Sequence, residues 1–175
     1  MGKKKLKKEC ICLIPARAGS KRIKNKNIRK LNNKTLIEIV LSIAKKSKLF
    51  DKIYVSTDSH KIKRIAEKNG ALVPYLRSKN ISDDKTGTDK VILDFYKKLK
   101  IDKDYLFCIY PTAILNNPRD LSKALYEFKK KKANCLITAC KFNSSPYRSL
   151  KIDKHGYTKF WKARYVNMNS QDLDD

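Results

Sequence analysis

Between Ile14 and Asn27 the chain reads IPARAGSKRIKNKN. Five cations (Arg17, Lys21, Arg22, Lys24 and Lys26) crowd this stretch, with Ser20, Asn25 and Asn27 as neutral donors between them. Cationic side chains and neutral donors on one loop, directly after a buried strand, suit a polyphosphate. Gly19 is expected to let the backbone turn and approach a ligand. The spacing is neither that of a Walker A loop nor the GxGxxG of dinucleotide sites. On charge alone, a solvated basic loop is the preferred reading; the order of the residues favours the polyphosphate site.

The elements that must position this loop follow from periodicity. Cys10–Ile14 is short, apolar and partly branched, as in a buried strand. Leu36–Lys46 reads as a helix apolar on most faces, sandwiched in the core. Lys52–Thr57 is a second strand. Asp58 or Ser59 caps a helix carrying Ile62, Ile65 and Ala66, which stops at Asn69-Gly70. Ala71–Tyr75 is expected as a third strand. The next helix turns Val91, Ile92, Phe95 and Leu99 inward. Tyr105–Tyr110 is a fourth strand. Asn117-Pro118 opens a helix with the stripe Leu121, Ala124, Leu125 and Phe128, and Cys135–Cys140 is expected as a fifth strand. Such alternation implies an α/β fold, a mostly parallel sheet with helices on both faces. Function then gathers beyond the carboxyl ends of the strands, where loops 15–27, 77–88 and 110–118 are unusually polar. Residues 141–168 mix aromatic and charged residues and read as an antiparallel extension.

Composition narrows the function classes. At 175 residues and 41% hydrophobic, the chain is long enough for one cored domain with a small appendage. No apolar run approaches the roughly 18–20 residues of a membrane helix, so no membrane partner is expected. The net charge is +25, but Lys supplies 34 of the 42 cations and Arg only 8. Nucleic-acid readers favour the bidentate fork of Arg, so solvated lysine faces are the preferred account of the charge. Five cysteines without a CxxC pair, in strand-like runs, argue against a disulfide framework, and two histidines offer no zinc site. The start, MGKKKLKKECICLIPARA, has too small an apolar stretch for a secretory signal and reads as a first strand in a cytoplasmic protein.

Five ordered motifs go further. PARAGSKRI…KN resembles the nucleotide loop of the acylneuraminate (CMP-sialic acid synthetase-like) cytidylyltransferases. FDKIYVSTD (Phe50–Asp58) is similar to that family's second strand, and LRSKNISDDKTGT (Leu76–Thr88) to its L-S-D-D-x-T-G-T loop. CIYPTAILNNPRDL (Cys108–Leu121) and NSQDL (Asn169–Leu173) look most like the branch that activates pseudaminic acid. The resemblance implies a three-layer, Rossmann-like nucleotide-diphospho-sugar transferase fold with an antiparallel dimerisation extension. It divides the chain into a basic tail (1–8), a nucleotide-binding domain (9–140), a dimerisation arm (141–168) and the start of a C-terminal portion (169–175).

The implied reaction transfers CMP from CTP to a nine-carbon keto sugar acid with release of pyrophosphate, for surface glycans such as lipopolysaccharide. By the same resemblance Arg17, Ser20, Lys26 and Asn27 grip the triphosphate, and Lys26 with Arg17 stabilises transition-state charge. Arg77 and Thr88 help hold the nucleotide; the bland alternatives are an ion pair of Arg77 with Asp83 or Asp84, and a helix cap at Thr88. Asp58 either caps its helix, the preferred role, or faces the nucleotide. Tyr110 and Arg148 serve the sugar, Arg148 across a homodimer. Magnesium is implied, with its aspartate pair placed past Asp175. The acidic cluster Asp172, Asp174 and Asp175 is a poor substitute for that pair, and Asn169 replaces an expected arginine. The chain thus resembles the first three-quarters of such an enzyme. A non-catalytic CTP-binding or dimerising remnant and a basic nucleic-acid-binding module remain as alternatives.

Overall fold

The computed structural model describes residues 10–101, 105–141 and 146–168. The chain divides into two compact units, Met1–Ala133 and Asn134–Asp175.

In the first unit, β1 (Cys10–Pro15) opens the sheet. A 3₁₀ turn at Lys26–Ile28 ends the basic loop, and the short antiparallel pair β2 (Lys30–Leu31) and β3 (Lys34–Thr35) follows. Then come α1 (Leu36–Lys46), β4 (Lys52–Ser56), α2 (His60–Lys68), α3 (Thr88–Leu99), β5 (Tyr105–Cys108) and α4 (Pro118–Lys130). The sheet has the order β4-β1-β5, parallel throughout, with Ile11 opposite Lys52 on one side and Leu106 on the other.

The central strand alternates faces, as the pleat requires. Cys12 and Ile14 enter a core built with Ile37, Val40, Leu41, Ala44, Ile62 and Leu121 from α1, α2 and α4. Ile11 and Leu13 enter the opposite core, around Phe95 of α3. Helices therefore cover both faces, in the three-layer α/β arrangement expected. α1 buries Ile37, Val40, Leu41 and Ala44, a single stripe at helical spacing rather than burial all round.

Two expected strands differ. Ala71–Tyr75 does not form a regular strand; it runs along β4 through isolated parallel bridges, Tyr54 with Leu72 and Thr57 with Leu76. Pro74 between them has no N–H to give a ladder. Cys135–Cys140 forms no strand either, and Ile137 is 84% exposed. An apolar run takes strand form only beside a hydrogen-bonded neighbour, and these residues pair with none among those described.

The second unit holds a 3₁₀ turn at Pro146–Arg148 and the antiparallel hairpin β6 (Leu150–Ile152) and β7 (Thr158–Phe160). The helices of the first unit end where local chemistry says they should. Ser59 caps α2 by accepting from the Ile62 N–H, and Asn69-Gly70 stops it, Gly70 at φ 73°. A side chain on Gly70 would meet the Lys45 ammonium at 2.8 Å in a conformation that disfavours any Cβ.

Candidate nucleotide site

The carboxyl ends of β1 and β5 open onto a cleft of about 800 Å³, within the roughly 300–1,000 Å³ typical of small-molecule sites. Its lining brings together Arg17, Ser20, Lys26 and Asn27 from the first loop, Arg77 and Thr88 from the second segment, and Tyr110 from the third. Lys21 and Arg22 join them. Five cations face the space against two carboxylates, Asp83 and Asp84, so the cleft favours an anion. A smaller hollow of about 90 Å³ behind the loop, against α2, has no room for a nucleotide.

The loop is held by its own residues and by two distant carboxylates, Asp58 and Asp84. Asp58 Oδ1 accepts the Ala18 N–H at 2.8 Å. The cap of α2 is Ser59, so Asp58 tethers the loop instead of capping its helix. Asn27 is buried and donates its amide to the Arg17 carbonyl at 2.8 Å. That bond closes the loop and draws Arg17 and Asn27 together. The left-handed residue of the loop is Asn25, at φ 56°, rather than Gly19. A Cβ on Gly19 would meet only the Arg17 guanidinium, at an ordinary 3.7 Å.

Arg77 is 5% exposed. Its N–H donates to the Thr57 carbonyl at 2.7 Å, and its Nε donates to Ser82 Oγ at 3.1 Å. Burial pulls the guanidinium pKa down, and Asp58 opposes that shift; the group remains a cation regardless. Asp83 and Asp84, the bland partners expected for Arg77, are engaged elsewhere. Asp83 Oδ1 accepts the Lys85 and Thr86 N–H groups, and hydrogen bonding to the Thr86 side chain, then to the Thr86 and Lys85 N–H groups, holds its pKa down. Asp84 pairs with Arg17 and with Lys21, and Lys21 followed by Arg17 lowers its pKa. Thr88 is the first residue of α3, whose cap is Gly87, so its hydroxyl is free of capping duty. It instead bonds the Tyr110 hydroxyl at 2.6 Å. Cys135 and Cys140 are exposed rather than buried. Burial raises the Cys10 and Cys108 thiols to about 11, so neither offers a thiolate.

A family model described as "Cytidylyltransferase" matches residues 11–168. The chain belongs to the cytidylyltransferase family. It is 32% identical over 166 residues to a pseudaminic acid cytidylyltransferase of Campylobacter jejuni, covering 93% of this chain and 72% of that protein. It is 31% identical over 149 residues to a CMP-N,N'-diacetyllegionaminic acid synthase of Legionella pneumophila, covering 83% and 64%. Among solved structures, a cytidylyltransferase of Leptospira borgpetersenii matches with TM-score 0.58 at 25% identity, over 72% of this chain. The chain spans 51% of that structure.

In this cytidylyltransferase the implied magnesium finds no fitting ligand set among the described residues. No three His, Cys, Asp or Glu side chains cluster there, and Asp83 and Asp84 are already committed to N–H groups and cations. Asn169, Asp172, Asp174 and Asp175 lie outside the described residues. Arg148 lies on the 3₁₀ turn of the second unit, and its side chain falls outside what the structure describes. No helix among the described residues is long and apolar enough to cross a membrane. Sequence reasoning missed the tether by Asp58 and the pairing of Asp84 with the first loop. The S-D-D turn preceding T-G-T was the available signal for Asp84, but nothing local indicated its partners.

Proposed function

We propose that the chain transfers CMP from CTP to a nine-carbon keto sugar acid of the pseudaminic or sialic type, releasing pyrophosphate. The observation that carries this reading is that Arg17, Lys26, Asn27, Arg77 and Thr88, distant in sequence, line one anion-favouring cleft at the strand ends. The names of the C. jejuni and L. pneumophila relatives support the substrate class.

In this mechanism the anomeric hydroxyl of the sugar acid attacks the α-phosphorus in line, and pyrophosphate leaves on the opposite side. Charge builds on the phosphate oxygens, and preset cations stabilise it without reorganising. Lys26 and Arg17 fill that role. Asn27 fixes the Arg17 backbone, and Ser20 adds a neutral donor. Arg77 contributes a desolvated positive charge, which interacts more strongly than an exposed one. Thr88 and Tyr110 join the nucleotide end of the cleft to the sugar end. No step is assigned to a metal.

The hairpin supports a homodimer. Leu150 pairs with Phe160, and Ile152 with Thr158, so Leu150, Ile152 and Phe160 share one face, and all three are exposed. A two-stranded hairpin needs a cover for such a face, and a second copy is the cover proposed. Arg148, on the same unit, would then serve the neighbouring sugar site.

The test is pyrophosphate release from CTP in a magnesium buffer, with pseudaminic acid, legionaminic acid or sialic acid as acceptor. Release that requires one of these acids is the expected result. CTP-dependent thermal stabilisation without turnover would reduce the chain to a nucleotide-binding protein. Nucleic-acid retention with steep salt dependence and indifference to CTP would overturn the reading.

A further inference from the structure

Of the two carboxylates in the cleft, only Asp84 reaches across to the first loop. Its Oδ1 takes a guanidinium N–H of Arg17, and its Oδ2 takes the Lys21 ammonium at 2.6 Å. One anion thus bridges two cations, an oxygen to each, much as a phosphate group would. The Arg17 contact spans 67 residues of sequence. It is therefore a tertiary closure between two loops, not a local turn bond. Both cations line the cleft; the side chains of Arg17 and Asp84 are each 29% exposed and that of Lys21 is 82% exposed.

We infer that Asp84 is an internal anion that occupies a phosphate position of the cleft and competes with the triphosphate for Arg17 and Lys21. The inference rests on the nucleotide reading given above. A polyphosphate approaching the same two cations meets a carboxylate already seated, and two like charges cannot occupy one position between them. Entry therefore displaces Asp84. Asp83 makes that displacement a movement of the whole turn. Its Oδ1 accepts the Lys85 and Thr86 N–H groups at 3.1 and 2.7 Å, so residues 83–86 move as one piece. Arg77 stays behind, anchored through its backbone to Thr57. The device keeps the two cations preorganised and paired before a nucleotide arrives.

The experiment compares the wild-type chain with Asp84→Asn and Asp83→Asn, measuring tripolyphosphate and CTP binding by calorimetry. Exposed ion pairs are worth well under tenfold in equilibrium. Asp84→Asn is accordingly expected to tighten tripolyphosphate binding by about threefold to fivefold. Asp83→Asn carries the same charge change beside the cleft but contacts neither cation, and it is expected to tighten binding by less than twofold. Equal tightening in both variants would reduce the effect to net charge and overturn the inference. Unchanged or weaker binding in Asp84→Asn, with the wild type binding CTP, would make Asp84 only a loop pin and leave the nucleotide reading intact. Binding in neither protein would overturn both. Should Asp84→Asn fail to fold, the carboxyl carbon resonance of Asp84 in the wild type decides. It shifts on adding tripolyphosphate if the carboxylate is released, and it stays fixed if the inference is wrong.

Discussion

Arg77 and Lys26 both present positive charge to the cleft, yet they stand in different physical situations. Arg77 is buried and its Nε is used by Ser82, so truncating it would damage the fold as well as the site. Lys26 is half-buried on its 3₁₀ turn, and its ammonium meets no carboxylate among the described residues. Its removal leaves no buried group unpaired, so Lys26→Ala should change unfolding free energy by no more than about 0.5 kcal/mol. Its charge-assisted bond to a phosphate is worth about 2 kcal/mol, or roughly 30-fold in CTP affinity. Calorimetric titration of the folded variant checks both halves. A variant that binds CTP as the wild type does would remove Lys26 from the site.

The loop can hold its cations only if the element that follows it is fixed. The Leu36 N–H donates to the Arg29 carbonyl at 3.1 Å, and Ile28 packs on the core that α1 helps to build. The α1 start is thus the rear anchor of the loop. A capping box makes that start. The Thr35 hydroxyl accepts the Glu38 N–H, and the Glu38 carboxylate accepts the Thr35 N–H at 2.7 Å and the Thr35 hydroxyl proton at 2.6 Å. These Thr35 bonds are the chief cause of the lowered Glu38 pKa. A folded-state pKa below the unfolded one means stability present above the ordinary carboxylate range, lost as pH falls through the depressed value. Thr35→Ala should cost about 1 kcal/mol, a Tm drop of roughly 2–4 °C at this size. The variant's deficit should shrink as pH falls below that range. A deficit unchanged across the acid limb in thermal melts would deny the capping box its role.

What was legible in the residues divides along the same line of local against distant chemistry. The bounds of α1, α2 and α4 follow from neighbours in sequence: the Ser59 cap, the Asn69-Gly70 stop, and the Asn117 cap before Pro118. Strands depend on a partner elsewhere, and so Ala71–Tyr75, broken by Pro74, and Cys135–Cys140, unpaired, departed from expectation. Within the site, Arg17, Ser20, Lys26 and Asn27 could be found together because they share one loop. Asp58 and Asp84 act on that loop from 40 and 67 positions away, and no local pattern records such an approach. The backbone of Asn25 rather than Gly19 takes the left-handed turn because Asn tolerates that conformation.

For the whole molecule, the decisive fact is that the cleft is lined from residues 15 to 112 alone, all inside the first unit. Nucleotide binding and self-association should therefore separate. The apolar face of the hairpin, Leu150, Ile152 and Phe160, stands exposed at 56%, 74% and 40%, and Lys151 and Lys159 take its other face. With a net charge of +25, copies of the chain repel at long range, so association must rest on apolar burial at a short-range contact. The double variant Leu150→Glu/Ile152→Glu should sediment as a monomer where the wild type sediments as a dimer. Its thermal stabilisation by CTP should match the wild type within about 1 °C, because no residue of the cleft is touched. Transfer to the sugar acid should fall under the role proposed for Arg148 at a neighbouring site. A wild-type monomer at micromolar concentration would defeat the dimer proposal, and loss of CTP stabilisation in the variant would show that the cleft depends on the second unit after all.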